Sequence, residues 1–269
     1  PVYILLGGLA LVFLYGFAPD LGIPPDKSII TIPIKHHSLV TNPTLPSIPL
    51  FTMAGYLLAD GGSSQRLVRV FQALTGHLRG GPAVLTALVC AFFTSFTGAS
   101  GVTILALGGL LLPVLISAGY KERTSLGLLT GAGSLGMLFP PCLPPILYAI
   151  VASTVMGNLD VETLGGNPAM GDITIERMFA GGLIPGALLV LLTAAWGVWV
   201  GPREHSRSKF DWREAKSAIW TAKWELLLPV VALVALFSGW ATPVEAAAVT
   251  ALYAFVAETL LYRDFLRRR

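Results

Sequence analysis

The sequence predicts an all-α polytopic membrane protein whose transmembrane helices include a re-entrant helical hairpin and a broken helix. Three observations carry this. The first is composition: of 269 residues, 54% are hydrophobic and 12% charged, with a mean hydropathy of +0.71. A soluble domain averages about 25% charged residues. The alternating pattern of a membrane β-barrel is absent. The second is the stretch 124–156, TSLGLLTGAGSLGMLFPPCLPPILYAIVASTVM. It is long enough to cross a bilayer, yet PPCLPP interrupts its middle. Each proline lacks a backbone N–H and clashes with the preceding turn. Unwound backbone at membrane depth is tolerated only where protein buries it or a polar cavity meets it. The third is the pair of short apolar arms 82–96 and 102–117 around FTGASG. Each arm is shorter than the roughly 20 residues of a perpendicular span. A hairpin that enters and leaves on one side fits such arms better than two full spans.

The remaining elements follow in order. Apolar segments cover 2–17, 46–60, 178–200, 225–239 and 243–262. Segment 63–79, SSQRLVRVFQALTGHLR, places Leu67, Val70, Phe71 and Leu74 on one helical face, with Arg66, Arg69 and Gln72 largely elsewhere. It reads as an amphipathic helix at the membrane interface or as a linker helix against the bundle. The loop 201–223 mixes six basic residues with Phe210, Trp212 and Trp220, which suits aromatics at headgroup level. Basic residues beside apolar spans meet anionic lipid, and no nucleic-acid partner is expected. Four regions result: 1–81 (scaffold and interfacial helices), 82–156 (hairpin 82–117 and broken helix 124–156), 157–223 (loop, membrane helix 178–200, basic loop) and 224–269 (two further membrane segments).

Charge orients the chain. Fifteen of the eighteen Lys and Arg residues fall on one face if the hairpin is re-entrant and each other segment crosses once. That face is cytoplasmic by the positive-inside rule. The loop 158–176, with Asp160, Glu162, Asp172 and Glu176, falls opposite. The opening PVYILLGG has no Met and no basic region, and the chain closes on RDFLRRR. Both ends read as interior points of a longer protein.

The chemistry concentrates at two places. The hairpin tip, FTSFTGASGVT, offers Thr94, Ser95, Thr97, Ser100 and Thr103, with Gly98 and Gly101 freeing the turn. Hydroxyls and free carbonyls suit a hard cation such as Na⁺. A helix restarting near Gly101 aims its positive end at the tip, which favours an anionic group there. The alternative is that these hydroxyls bond back to helix carbonyls or mediate helix packing. The second place is the break, with Ser134, Gly136, Pro140, Pro141, Cys142 and Pro144. Na⁺ ligands are expected from Thr97, Ser100 and Ser134, with backbone near Gly98 and Gly136.

Other classes fall away. No Ser-His-Asp set, HExxH or Walker motif occurs, so no enzyme and no cofactor is expected. Cys90 and Cys142 lie in apolar segments without metal-ligand spacing. His36 and His37 lack a partnering set. In SGWATPVEAAA, Thr242 reads as a helix cap, Pro243 as the first helical residue and Glu245 as the third. Asp60 and Glu225 sit at span ends and read as interfacial.

Five ordered motifs then carry a resemblance: IPLFTMAGYLLADGG…RLVRVFQALTGHLRGGPA, FTGASGVTILALGGLLLPVLISAGY, GSLGMLFPPCLPPILYAIV, MFAGGLIPGALL and LLLPVVALVALFSGWATPVEAAAVTALYAF. Together they resemble the DctM-type large membrane subunit of the tripartite ATP-independent periplasmic (TRAP) transporters over nearly the whole chain. The resemblance implies an elevator-type secondary transporter of the bacterial inner membrane. Such a transporter takes up carboxylates, dicarboxylates among them, with Na⁺ as coupling ion. It works with a small DctQ-type membrane subunit and a periplasmic binding protein. The family's first hairpin tip falls on Thr97, Gly98, Ser100 and Thr103, and its first unwound segment on Ser134, Gly136, Pro140, Pro141 and Pro144. Ala99 and Cys142 stand where many members have Ser, which implies shifted ligands or backbone-only binding there. The chain is also short for the family, and reads as the first half of an inverted-repeat transport core. The competing reading is a membrane scaffold or assembly subunit without its own transport site.

Overall fold

The computed structural model describes residues 5, 7–9, 11, 12, 34, 37, 40–156, 173–202, 210–238 and 241–262. The chain divides into two compact units, residues 1–45 and 46–269. In the first, the described residues 5, 7–9, 11, 12, 34, 37 and 40 are helical. Most of the expected span 2–17, of the acidic loop 158–176 and of the basic run 203–209 lies outside the described residues, as does His36.

In the second unit every described element is a helix or a helical turn. They are α1 (Ser47–Asp60), α2 (Ser63–Thr75), α3 (Gly81–Thr97), α4 (Ser100–Ser117), α5 (Glu122–Ala132), a 3₁₀ turn (Leu135–Leu138), α6 (Leu143–Met156), α7 (Ile175–Val200), α8 (Trp212–Thr221), α9 (Lys223–Phe237), α10 (Pro243–Val256) and a π turn (Ala257–Leu261). Among the described residues, three helices are long and apolar enough to cross a bilayer: Ser100–Ser117, Ile175–Val200 and Pro243–Leu261. Two bent pairs raise this to five spans if each counts as one. They are the broken helix, bent by 44°, and α8 with α9, bent by 62°.

Helix α3 is the centre of the unit. Fourteen of its 17 residues are buried, so an apolar 17-mer too short for a comfortable span is enclosed by protein rather than lipid. Its neighbours are α1, α2, α4, α5, α7 and the 3₁₀ turn. Small residues let them close in, as they do between membrane helices. At Gly55 of α1, a Cβ would lie 2.5 Å from the Phe96 carbonyl oxygen. Helix α4 contacts this core along one stripe, Thr103, Leu107, Leu111 and Leu115, spaced four residues apart. Helix α7 buries only Ile175, Phe179, Gly186, Val190 and Gly197, while Ile184 and Trp199 are over four-fifths exposed. A helix apolar all round whose outer face meets no described residue suits hydrocarbon.

The break is more local than the prolines suggest. Helix α5 ends at Ala132, and α6 restarts at Leu143. Pro144 and Pro145 therefore occupy the first turn of α6, where an absent N–H leaves nothing unbonded. Only Pro140 and Pro141 lie in the unwound stretch, joined by a cis peptide bond.

Contacts at one end of the bundle gather the basic loops. Gly80 meets Val198, Gly119 meets Pro202, and His77 meets Phe210 edge-on at 5.0 Å. Arg69 pairs with Glu214 at 2.8 Å, and Val70 packs on Ala218 and Ala222. The amphipathic α2 thus lies against α8. At this end Arg66 pairs with Glu225 through Nε and with Glu258 through Nη2 at 3.2 Å. Glu225 and Glu258 are 1% and 0% exposed, so Glu225 is a fully buried group rather than an interfacial one. Its burial follows from this guanidinium and from the Tyr262 hydroxyl 2.7 Å from its Oε2. Ser63 Oγ donates to Glu258, which places a carboxylate at the N-terminus of α2 where the helix dipole favours it.

At α10 the capping box is complete. Thr242 Oγ1 accepts from the Glu245 amide, and the Thr242 amide donates to Glu245 Oε2 at 2.7 Å. Thr242→Ala is expected to lower stability by about 1 kcal/mol, read as a shift of the unfolding midpoint in detergent. An unchanged midpoint would show that α10 starts without this cap.

Candidate functional site

Helices α3 and α4 form a hairpin through Gly98 and Ala99. Gly98 adopts φ +63°, a left-handed conformation that suits glycine. A Cβ there would also lie 2.7 Å from Leu143 Cγ, the first residue of α6. The tip of the hairpin therefore rests on the restart of the broken helix. The 3₁₀ turn closes in from the other side. A Cβ on Gly136 would lie 2.2 Å from the Ala91 carbonyl oxygen and 2.6 Å from the Ser95 amide nitrogen. The two discontinuous elements singled out by sequence are packed backbone to backbone.

A chain of hydroxyls ties them together. Thr94 Oγ1 lies 2.8 Å from the Gly133 carbonyl oxygen and 2.9 Å from Thr103 Oγ1, and Thr97 Oγ1 lies 2.9 Å from Thr103 Oγ1. A carbonyl only accepts and each hydroxyl has one proton. The direction follows: Thr97 donates to Thr103, Thr103 to Thr94, and Thr94 to Gly133. All three threonines are buried. Thr97 heads the chain: its Oγ1 also lies 3.4 Å from the Ala99 carbonyl oxygen, and among the described residues no group donates to it in this arrangement.

The selected residues part company here. Thr97 and Thr103 meet within the hydroxyl chain. Ser100 is half-buried and opens α4, whose N-cap, Ala99, supplies no side-chain cap. The Ala99 carbonyl is engaged by the Thr103 amide at 3.2 Å. Gly101 is exposed, with no atom within 4 Å of where a Cβ would stand. Ser134 is exposed and its Oγ donates to the Gly131 carbonyl at 2.9 Å, within its own turn. Pro140, Pro141 and Cys142 are buried, while Pro144 is exposed. Sequence reasoning counted Thr94 among the tip hydroxyls without selecting it. Its spacing from Thr97, three residues along one helix, places both on one face and was the available signal.

Two clefts flank the break. One of about 450 Å³ is lined by Met137, Leu138, Tyr148, Arg177 and Met178. The other, about 310 Å³, is lined by Phe92, Ser95, Phe139, Pro140 and Leu183. Both are mainly apolar, and neither reaches the hydroxyl chain. Among the described residues no group of three His, Cys, Asp or Glu side chains could hold a metal ion.

Comparison with known proteins adds the family. The family described as "Tripartite ATP-independent periplasmic transporter, DctM component" matches residues 1–269. The chain is 30% identical over 271 residues to the C4-dicarboxylate TRAP transporter large permease protein DctM of Rhodobacter capsulatus, covering 100% of this chain and 59% of that protein. It is 29% identical to the isethionate TRAP transporter permease protein DctMQ of Oleidesulfovibrio alaskensis, covering 98% and 41%. It is 32% identical to the ectoine TRAP transporter large permease protein TeaC of Halomonas elongata, covering 82% and 48%. The chain spans about half the length of these relatives. With hairpin and broken helix joined as described, and the match running from first residue to last, the chain belongs to the DctM component family of tripartite ATP-independent periplasmic transporters.

Proposed function

We propose that this chain supplies one half of the transport core in the large membrane subunit of a Na⁺-coupled uptake system for carboxylates. The substrate arrives on a periplasmic binding protein, and a small membrane subunit completes the assembly. The observation that carries the reading is the hydroxyl chain from Thr97 to the Gly133 carbonyl. It joins a hairpin tip to an unwound segment and ends on a hydroxyl whose lone pairs can ligate a hard cation. Beside it, α4 opens at Ser100 without a side-chain cap, so the amides of its first turn carry the positive end of the helix dipole with no capping side chain. The open space at Gly101 leaves room for a carboxylate to reach them. The relatives' names cover C4-dicarboxylate, isethionate and ectoine, and an anionic group such as a carboxylate suits this helix end.

The experiment is uptake by the full-length protein, reconstituted with its small subunit and binding protein under a Na⁺ gradient. Thr97→Val and Ser100→Ala should raise the Na⁺ concentration for half-maximal uptake, and Ser134→Ala is read alongside them. Unchanged Na⁺ dependence in all three rules out this cation site. Gly101→Val tests the anion site separately. No described residue obstructs a side chain there, so the unfolding midpoint should hold. KM for the carboxylate should rise at least tenfold, because the side chain fills the space in front of the α4 amides. An unaltered KM would place the substrate elsewhere.

A further inference from the structure

Helix α8 carries a ridge that no described residue covers. Its inner face carries the buried Ala215 and Ala218, and Ala218 packs against Val70 of α2. On the outer side Trp212, Lys216 and Trp220 follow one another at four-residue spacing, which makes one ridge along the helix. Trp212 is 69% and Trp220 70% exposed, with Ile219 beside them at 40%. Lys216 is exposed, and no carboxylate among the described residues pairs with it. Lys223 Nζ stands 4.1 Å over the Trp220 ring and 5.3 Å from that of Trp224.

Two large exposed indoles are costly in water, and interleaved lysines are costly in hydrocarbon. The headgroup layer of a bilayer satisfies both. The angle supports that placement. Helix α8 turns by 62° into α9 across a single residue, Ala222, and α9 is apolar. With the apolar α9 running into the bilayer, a helix set at 62° to it lies nearer the bilayer surface than the membrane normal. The basic loops converge at the same end, so the lipid they meet is the anionic cytoplasmic leaflet.

We infer that the Trp212–Lys216–Trp220 ridge, with Lys223, is a binding surface for anionic phospholipid headgroups. The indoles sit at the depth of the ester carbonyls, and the two ammonium groups take the phosphate. The pairing of α8 with α2 through Arg69 and Glu214 then fixes both amphipathic helices to the membrane surface beside α3. The inference does not depend on the carried substrate or on Na⁺.

The test uses the full-length protein in vesicles of phosphatidylcholine, with and without phosphatidylglycerol. In one arm every tryptophan except Trp220 is replaced by phenylalanine. Lipids carrying a nitroxide at the headgroup should quench Trp220 more strongly than lipids carrying it deep in the acyl chain. In the second arm, electron spin resonance gives the preference for spin-labelled phosphatidylglycerol over phosphatidylcholine. Lys216→Glu and Lys223→Glu should each lower it by more than about fivefold, since the loss of one lysine's share of the surface attraction alone is worth that much and the reversal adds repulsion, and Lys216→Arg should retain it. Water-like emission from Trp220 without quenching overturns the proposal. So does quenching that vanishes when the small subunit is added, since a protein then covers the ridge. Equal preference in wild type and charge-reversed variants would show an apolar contact with no recognition of anionic lipid.

Discussion

Arg66→Met is expected to destabilise the protein by about 3–5 kcal/mol, the range for breaking a buried ion pair from one side. The geometry explains the size. Arg66 joins two carboxylates that are essentially inaccessible to solvent, Glu225 and Glu258. Its guanidinium also lies 3.7 Å from the centre of the Tyr262 ring. Losing it strands two charges where water cannot reach them. Arg66→Lys should recover only part of the loss, because a compact ammonium lacks the planar fork of five donors that spans both carboxylates and stacks on the Tyr262 ring. Arg66→Met combined with Glu225→Gln and Glu258→Gln should recover much more than Arg66→Lys does. The measurement is the denaturation midpoint of each variant in detergent. A triple variant as unstable as Arg66→Met alone would show that packing, not charge, dominates. Gly61 belongs to the same knot: a Cβ there would stand 2.2 Å from Glu258 Oε2.

This knot was the least legible part of the sequence. Its members lie 159 and 192 residues apart along the chain, and each has a plausible local role. Glu225 stands in the first turn of a helix and Arg66 on the polar side of an amphipathic one. Only the fold reveals that α2 crosses the ends of α9 and α10. The hairpin and the break were legible because their signals are local. FTGASG and the prolines each act within a few residues, whereas arm length misled for α4, whose 18 residues are long and apolar enough to cross a bilayer. Even there the prolines misled in part. Pro144 and Pro145 begin α6 rather than prolong the unwound stretch, and a proline run has the same composition in either place. The tip was legible as a group of hydroxyls but not as a directed chain. Which threonine bonds Gly133 depends on how closely α3 approaches the 3₁₀ turn, and that approach is set by Gly136.

Gly136→Ala is therefore expected to cost at least as much as the loss of Arg66, and to abolish uptake. The added methyl would lie 2.2 Å from a backbone oxygen, 2.6 Å from a backbone nitrogen and 2.7 Å from Thr94 Cβ. None of these is the flexible end of a side chain, so the 3₁₀ turn must move off α3. Thr94 then loses the Gly133 carbonyl, and the hydroxyl chain loses its terminal acceptor. Thr94→Val separates packing from hydrogen bonding at the same place. It keeps the shape of the side chain but removes its hydroxyl, leaving the Gly133 carbonyl and the Thr103 hydroxyl short of a partner in a buried setting. That should cost about 1–3 kcal/mol. If the chain orients Thr97 toward a cation, Thr94→Val should also raise the Na⁺ concentration for half-maximal uptake, although Thr94 itself touches no ion. A Thr94→Val protein that is less stable but unchanged in Na⁺ dependence would confine the hydroxyl chain to holding the hairpin against the break. Wild-type uptake by Gly136→Ala would mean that the backbone contact between α3 and the 3₁₀ turn is dispensable for transport.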